Sequence, residues 1–191
     1  MKYMQNGKFN SNPLMRLTLI FTLIFFVAFW LTTAVMYFSK MNLAPASVVD
    51  YYRGNEELFK LPRTFGSMLE VTHGHLPVMA LVALLLTHLF IFTPFSKWVK
   101  TTLIVSFFGA ALVGEAASWL VRYVHPAFAY LKIASFLVLE LSMALVIVAL
   151  WRLMASGAKR NGRPRQLDSL EGRDSAHMQA VLQGESRVTM D

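Results

Sequence analysis

The sequence predicts an all-α integral membrane protein: an antiparallel bundle of four transmembrane helices with both termini on the cytoplasmic side. Of its 191 residues, 55% are hydrophobic and only 15% are charged, whereas soluble domains carry about 25% charged residues. Four apolar segments are each long enough to cross the hydrocarbon core, which takes about 20 helical residues. A water-soluble domain is therefore not expected.

The predicted elements follow the apolar runs along the chain. The transmembrane helices comprise residues 14–38, 67–92, 101–123 and 126–154, joined to an N-terminus over 1–13, an outer loop over 39–66 and a tail over 155–191. The first apolar run is longer than the 7–15 residues of a signal-peptide core, so we interpret it as a retained span. The polar tail predicts disorder, with one short helix near 176–183.

The outer loop carries its own structural signals. Pro45 opens a stretch that predicts a short helix ending near Pro62, with Tyr51, Tyr52 and Phe59 in the headgroup region. The spacing SMLE, from Ser67, is that of a capping box and predicts the start of the second transmembrane helix there.

The net charge of +7 lies mostly beside the apolar segments, so it indicates topology rather than nucleic-acid binding. Basic residues flank three segments: Lys2, Lys8 and Arg16 at the N-terminus, Lys97 and Lys100 in the second loop, and Arg152, Lys159, Arg160, Arg163 and Arg165 after the last span. The positive-inside rule places these three flanks in the cytoplasm.

Several chemistries are excluded by composition. The chain has no cysteine, which excludes disulfides, thiolate metal sites, iron–sulfur clusters and a cysteine nucleophile. It has neither a phosphate-binding loop nor a nucleophile elbow, so a self-contained kinase or hydrolase is not expected.

Ionisable residues within the predicted spans are the candidate functional groups, because such groups are costly at bilayer depth. At ~1.5 Å per helical residue they fall into three layers. The outer layer contains His73, His75, Arg122 and His125, the middle layer contains Glu115 and Lys132, and the inner layer contains His88 and Glu140. We predict an ion pair in the middle layer and a contact in the inner layer.

One stripe on the third span is predicted to face the bundle, because Glu115, Ser118, Trp119 and Arg122 follow helical i, i+3, i+4, i+7 spacing. On the second span, Gly74 and Pro77 predict a local distortion of the helix.

The outer histidines allow several cofactors. A haem b needs two axial imidazoles at matching depth, which His125 and either His73 or His75 provide. The same three histidines predict a copper or zinc site, and Arg122 in this layer is a further cofactor-binding candidate. Glu70 and His73 share a helical face, so they predict a carboxylate–imidazole pair and also match one half of a di-iron motif.

A quinone pocket or proton path needs no metal. Histidine titrates near neutral pH, and a neighbouring carboxylate can accept a proton from a quinol. The proton-handling candidates are Glu70, Glu115, Glu140 and His88. Purely structural alternatives remain: His88 as a packing hydrogen bond, His125 as a helix cap, and Lys132 as a snorkelling side chain.

Through the motifs YYRGNEE at 51–57 and SMLEVTHGH at 67–75, with the later His88, the chain resembles a group of small bacterial four-span membrane proteins. The resemblance implies no particular activity. More loosely, the spans are similar to four-helix membrane cytochromes b that react with quinones. That resemblance implies two histidine pairs, of which the inner pair is incomplete in this sequence.

The sequence thus predicts a multi-pass protein of the bacterial inner membrane that serves as a quinol- or haem-b-linked redox subunit. A periplasmic cytochrome or another redox subunit is the expected partner. The alternatives are a non-catalytic anchor or assembly subunit and a metal or proton transporter.

Overall fold

The computed structural model describes residues 13–161, which form five α-helices. They are α1 (Pro13–Lys40), α2 (Pro45–Arg53), α3 (Phe65–Phe90), α4 (Lys97–Tyr123) and α5 (Phe128–Asn161). The four long helices are apolar enough to cross a membrane, which confirms the predicted all-α bundle. The predicted N-terminal segment before Pro13 and the predicted short helix at 176–183 lie outside the described residues.

The chain divides into two compact units. Met1–Ala155 contains α1 to α4 and most of α5, and Ser156–Asp191 is the second unit, of which the structure describes only the end of α5.

The start of α3 differs from the prediction. Thr64 is the N-cap, because its side-chain oxygen accepts a hydrogen bond from the Ser67 backbone N–H. Ser67 therefore lies inside the first turn instead of capping it, and the predicted capping box is wrong. The helix continues as one element through Pro77, so the predicted distortion does not interrupt it.

The short helix α2 ends earlier than predicted. Gly54 follows it with φ +83°, a conformation that favours glycine and stops a helix. Asn55 and Lys60 then exchange two backbone hydrogen bonds of 2.9 Å, which close a tight hairpin. Phe59 at its turn is 95% exposed.

The helices pack through two apolar clusters. One cluster lies at the end of the bundle that contains α2, called here the α2 end. It includes Tyr37 and Phe136, whose rings stack with centroids 3.7 Å apart and so join α1 to α5. The opposite cluster centres on buried Leu86, Phe107 and Met143. The helix α4 packs against both α3 and α2, and its Glu115 and Ser118 side chains form hydrogen bonds with these two neighbours.

Candidate ligand-binding site within the helical bundle

Glu115 on α4 is held by two side chains of α3. The Thr72 hydroxyl donates to its Oε1 atom at 2.5 Å, and His75 Nδ1 lies 3.5 Å from Oε2. The Thr72 oxygen in turn accepts from the Trp119 indole N–H at 2.9 Å. The carboxylate is only 15% exposed, while the imidazole is 50% exposed, so the pair joins a sheltered group to an accessible one.

Lys132 lies beside this pair but does not contact it directly. Its ammonium group donates to the Gly114 carbonyl at 2.9 Å, while the two carboxylate oxygens of Glu115 are engaged by α3. The predicted direct ion pair between Glu115 and Lys132 is therefore wrong in this structure.

A second polar chain links α2 to the same part of α4. The buried Tyr52 hydroxyl donates to Ser118 Oγ at 2.9 Å, and Ser118 donates to the Gly114 carbonyl at 3.1 Å. Burial raises the pKa of Tyr52 well above its usual value, so the phenol stays protonated and remains a donor. Tyr52, which the sequence suggested for the headgroup region, thus has its side chain buried against α4.

Two arginine side chains form hydrogen bonds with backbone carbonyls at the α2 end of the bundle. Arg122 Nε donates to the Arg63 carbonyl at 2.8 Å, and Arg53 Nε donates to the Val121 carbonyl at 2.8 Å. Arg122, a cofactor-binding candidate from the sequence, therefore holds the segment that precedes α3.

The predicted inward orientation of the stripe on α4 is confirmed, because each of its members contacts another element. These members are Glu115, Ser118, Trp119 and Arg122.

A cavity of about 190 Å³ opens beside Glu115. Its polar groups include His75, Glu115 and Lys132, and the rest of its lining is mainly apolar. The apolar contributors include Phe29, Met36, Val71, Val78, Met79, Ala110, Ala111, Phe136 and Leu139. The site therefore combines a lipophilic chamber with a charged, hydrogen-bonding end.

Two further cavities adjoin the first towards the α2 end. The nearer one, of about 70 Å³, shares His75 and Glu115 with the first cavity. It also shares Arg63 and Ser67 with a third cavity, of about 410 Å³, at the α2 end. The three cavities together form a series from the carboxylate towards that end.

The remaining predicted residues lie apart from this site. Glu70 and His73 are exposed on the surface of α3. His125 is exposed too, and its Nδ1 accepts a hydrogen bond from the Ala127 backbone N–H at 3.1 Å. This contact agrees with the structural alternative for His125, in which it acts as a helix cap. Within residues 13–161, no group of three or more His, Asp or Glu side chains could hold a metal ion. The predicted metal site of His73, His75 and His125 is thus not assembled, because helical neighbours two residues apart point in different directions.

The inner layer does not form either. His88 is exposed and meets the ring of Phe92 edge-on, with centroids 5.6 Å apart. Glu140 Oε1 is buried and has no hydrogen-bond partner within the described part of the chain, so the predicted contact between these two side chains is absent.

Sequence reasoning missed Thr72 and Tyr52 as parts of the site. Thr72 lies three residues before His75, which is helical spacing and could have placed both on one face. Tyr52 lies four residues after Val48, and both are buried. The helical spacing of these two residues could therefore have shown that Tyr52 belongs to the buried face of α2.

Comparison with known proteins gives the family. A family model described as a transmembrane helical domain matches residues 42–161, which is more than half of the chain. The chain belongs to this family of transmembrane helical domains. The match covers α2 to α5, and with them Thr72, His75, Glu115 and Lys132, whereas the α1 residues that line the cavity lie outside it.

Membership of the transmembrane helical domain family supports a multi-pass membrane protein in contact with lipid, and it supports the resemblance to small four-span proteins. It shows no link with cytochromes b. No curated protein and no solved structure matches the chain.

Proposed function

We propose that this protein is the quinol-binding membrane subunit of a redox system, with the reactive ring held in the cavity beside Glu115. The observation that carries the proposal is the pairing of His75 with Glu115 at the end of a mainly apolar chamber inside the bundle. Pockets for lipophilic ligands are typically apolar with a few convergent polar groups.

The cavity suits an amphipathic ring in both size and chemistry. Its volume of about 190 Å³ accommodates a single substituted ring. The ammonium group of Lys132 supplies a donor for a quinone oxygen, and His75 and Glu115 supply acceptors for a quinol hydroxyl. An isoprenoid tail would follow the apolar lining towards lipid.

The acid–base chemistry follows from the same groups. Oxidation of one quinol to quinone releases two protons and two electrons. The protons pass to His75 and Glu115, since an imidazole–carboxylate pair within hydrogen-bonding range of the ligand is a suitable base. The two electrons pass one at a time to a one-electron carrier on a partner subunit, which is re-oxidised between the two transfers. The positive-inside rule places the α2 end outside, so the protons leave on that side.

Haem b has less support as a cofactor of this chain than a quinol has. A bis-histidine haem needs two imidazoles that face a common gap. His75 faces Glu115, His125 caps the segment before α5, and His73 is on the surface. These placements do not fit haem ligation, so the quinol proposal does not depend on a haem in this chain.

The experiment measures binding of a short-tailed naphthoquinone and a short-tailed benzoquinone to the full chain in nanodiscs, by quenching of tryptophan fluorescence. Loss of a hydrogen bond to a charged group costs about 1.5–3 kcal/mol. We therefore expect Glu115→Gln and His75→Gln to weaken binding about tenfold or more.

Matched controls come from α3, the helix that carries His75. Glu70→Gln and His73→Gln change the same residue types on the surface of α3 and should leave quinone affinity unchanged. If neither quinone binds the folded wild-type protein, the quinol proposal fails and the anchor or assembly role becomes the better interpretation. Equal losses in the surface variants and the cavity variants would also contradict it.

A further inference from the structure

The open cavity at the α2 end is a second candidate site with different chemistry. It measures about 410 Å³ and its lining carries three cationic side chains, Lys40, Lys60 and Arg63, against a single carboxylate, Asp50. The cavity beside Glu115 is mainly apolar, whereas this one is basic and more open, and Lys40 lines both. Its net charge favours an anionic ligand.

The cations are available to a ligand. Lys40 and Lys60 are exposed, and within residues 13–161 neither forms an ion pair with a carboxylate. Asp50 instead accepts a hydrogen bond from the Asn55 side-chain amide at 3.0 Å. The two lysines therefore add their charge to the cavity without a bound counter-ion from this part of the chain.

Arg63 is fixed at the inner side of the same cavity. Its guanidinium donates to the Tyr51 hydroxyl at 2.6 Å and lies over the Tyr51 ring, 4.4 Å from the centroid. A guanidinium positioned in this way keeps further N–H donors for a second acceptor, because it carries five of them. The Arg63 guanidinium is thus already positioned by Tyr51 in the absence of a ligand.

The start of α3 adds hydroxyl donors and a favourable dipole. Thr64 and Ser67 line the cavity, and Thr64 is the N-cap of this 26-residue helix. Backbone N–H groups and the positive end of the helix dipole favour anions at such a position. Basic side chains, hydroxyls and a helix N-terminus thus converge on one space.

We propose that this cavity binds a phosphate group, and that the phosphate belongs to the headgroup of an anionic membrane lipid. The residues that line it come from the end of α1, the hairpin after α2 and the start of α3. These segments lie at the end of the transmembrane helices, which is the level of lipid headgroups. Basic pockets at this level are suited to anionic lipids.

The experiment uses the full chain in detergent and measures retention of phosphatidylglycerol and phosphatidylcholine by native mass spectrometry. We expect the wild-type protein to prefer phosphatidylglycerol. Lys40→Gln and Lys60→Gln should each weaken its binding about fivefold, since one basic residue near a lipid surface contributes about that factor. Lys97→Gln is the matched control, because Lys97 is an exposed lysine at the opposite end of the bundle.

A competition arm separates lipid from soluble phosphate. Inorganic phosphate is added at millimolar concentration, with sodium chloride of equal ionic strength as the reference. Retention of phosphatidylglycerol in both salts supports a headgroup site. Displacement by phosphate alone overturns the assignment to lipid and assigns the cavity to soluble phosphate. Equal lipid binding by Lys40→Gln, Lys60→Gln and Lys97→Gln would overturn the site altogether.

Discussion

At the scale of single residues, Thr72 decides how Glu115 is presented. Its hydroxyl has one proton and directs it to the carboxylate, while its lone pair receives the Trp119 indole N–H. The same small side chain therefore satisfies two larger groups from α4. A residue without a hydroxyl would leave a sheltered carboxylate and an indole N–H each short of one partner.

We expect Thr72→Val to lower the stability of the bundle by about 1–3 kcal/mol, because valine keeps the shape but leaves the part-buried Glu115 carboxylate and Trp119 indole N–H each short of one partner. Thermal unfolding in detergent, followed by circular dichroism, measures the change. Thr18→Val is the matched control, since Thr18 is exposed and bonds only within its own helix. Equal effects of the two substitutions would contradict the importance of the Thr72 bridge.

Tyr52 predicts a pH dependence in alkaline solution. Burial holds the pKa of its phenol above the usual value of 10.0, so the unfolded chain loses this proton at a lower pH than the folded chain does. The free energy of unfolding should therefore fall as pH rises above about 10. We expect Tyr52→Phe to make that fall less steep, as measured by denaturation at several pH values.

The control for this prediction is Tyr130→Phe, which alters an exposed tyrosine and should leave the slope unchanged. A slope that is the same in the wild-type protein and in Tyr52→Phe would show that Tyr52 does not carry the effect.

At the scale of helices, Gly114 sets the approach of α4 to α5. A Cβ atom at this position would lie 3.1 Å from Ser135 Oγ, and that oxygen is held in place by its own bond to the Lys132 carbonyl. The missing side chain thus permits the close contact through which the Lys132 ammonium reaches the Gly114 carbonyl.

Alanine at two glycines of α4 separates packing from helix propensity. Gly109 has open space around its position, so Gly109→Ala should gain up to about 1 kcal/mol from helix propensity. Gly114→Ala should be less stable than Gly109→Ala by about 1–3 kcal/mol because it overpacks the interface. Thermal unfolding of both variants measures the difference, and equal midpoints would contradict the close contact.

Element positions were largely predictable, whereas the partners of Glu115 were not. Apolar length alone locates the four long helices, because a membrane span has a fixed minimum length. The end of α2 depended on the left-handed conformation of Gly54, a detail that the residue type permits but does not dictate. His73 and His75 were equivalent candidates, since only the rotation of α3 against α4 decides which imidazole meets the carboxylate.

At the scale of the whole molecule, the charge distribution predicts the orientation in the membrane. The chain contains no cysteine, so single cysteines can be introduced at exposed Leu58 and Lys97. We expect a membrane-impermeant maleimide to label Leu58→Cys in intact cells, and Lys97→Cys only after permeabilisation. The reverse pattern would place the α2 end in the cytoplasm and redirect the proposed proton release.

The series of cavities that runs from Glu115 towards the α2 end has an energetic consequence. Tyr123 lies eight positions after Glu115 on α4, a rise of about 12 Å out of a hydrocarbon thickness of about 30 Å. A charge that takes this route crosses less than half of the transmembrane voltage drop. At a membrane potential of 100 mV, the work of crossing that part is about 1 kcal/mol. An energised membrane would therefore oppose proton departure only weakly.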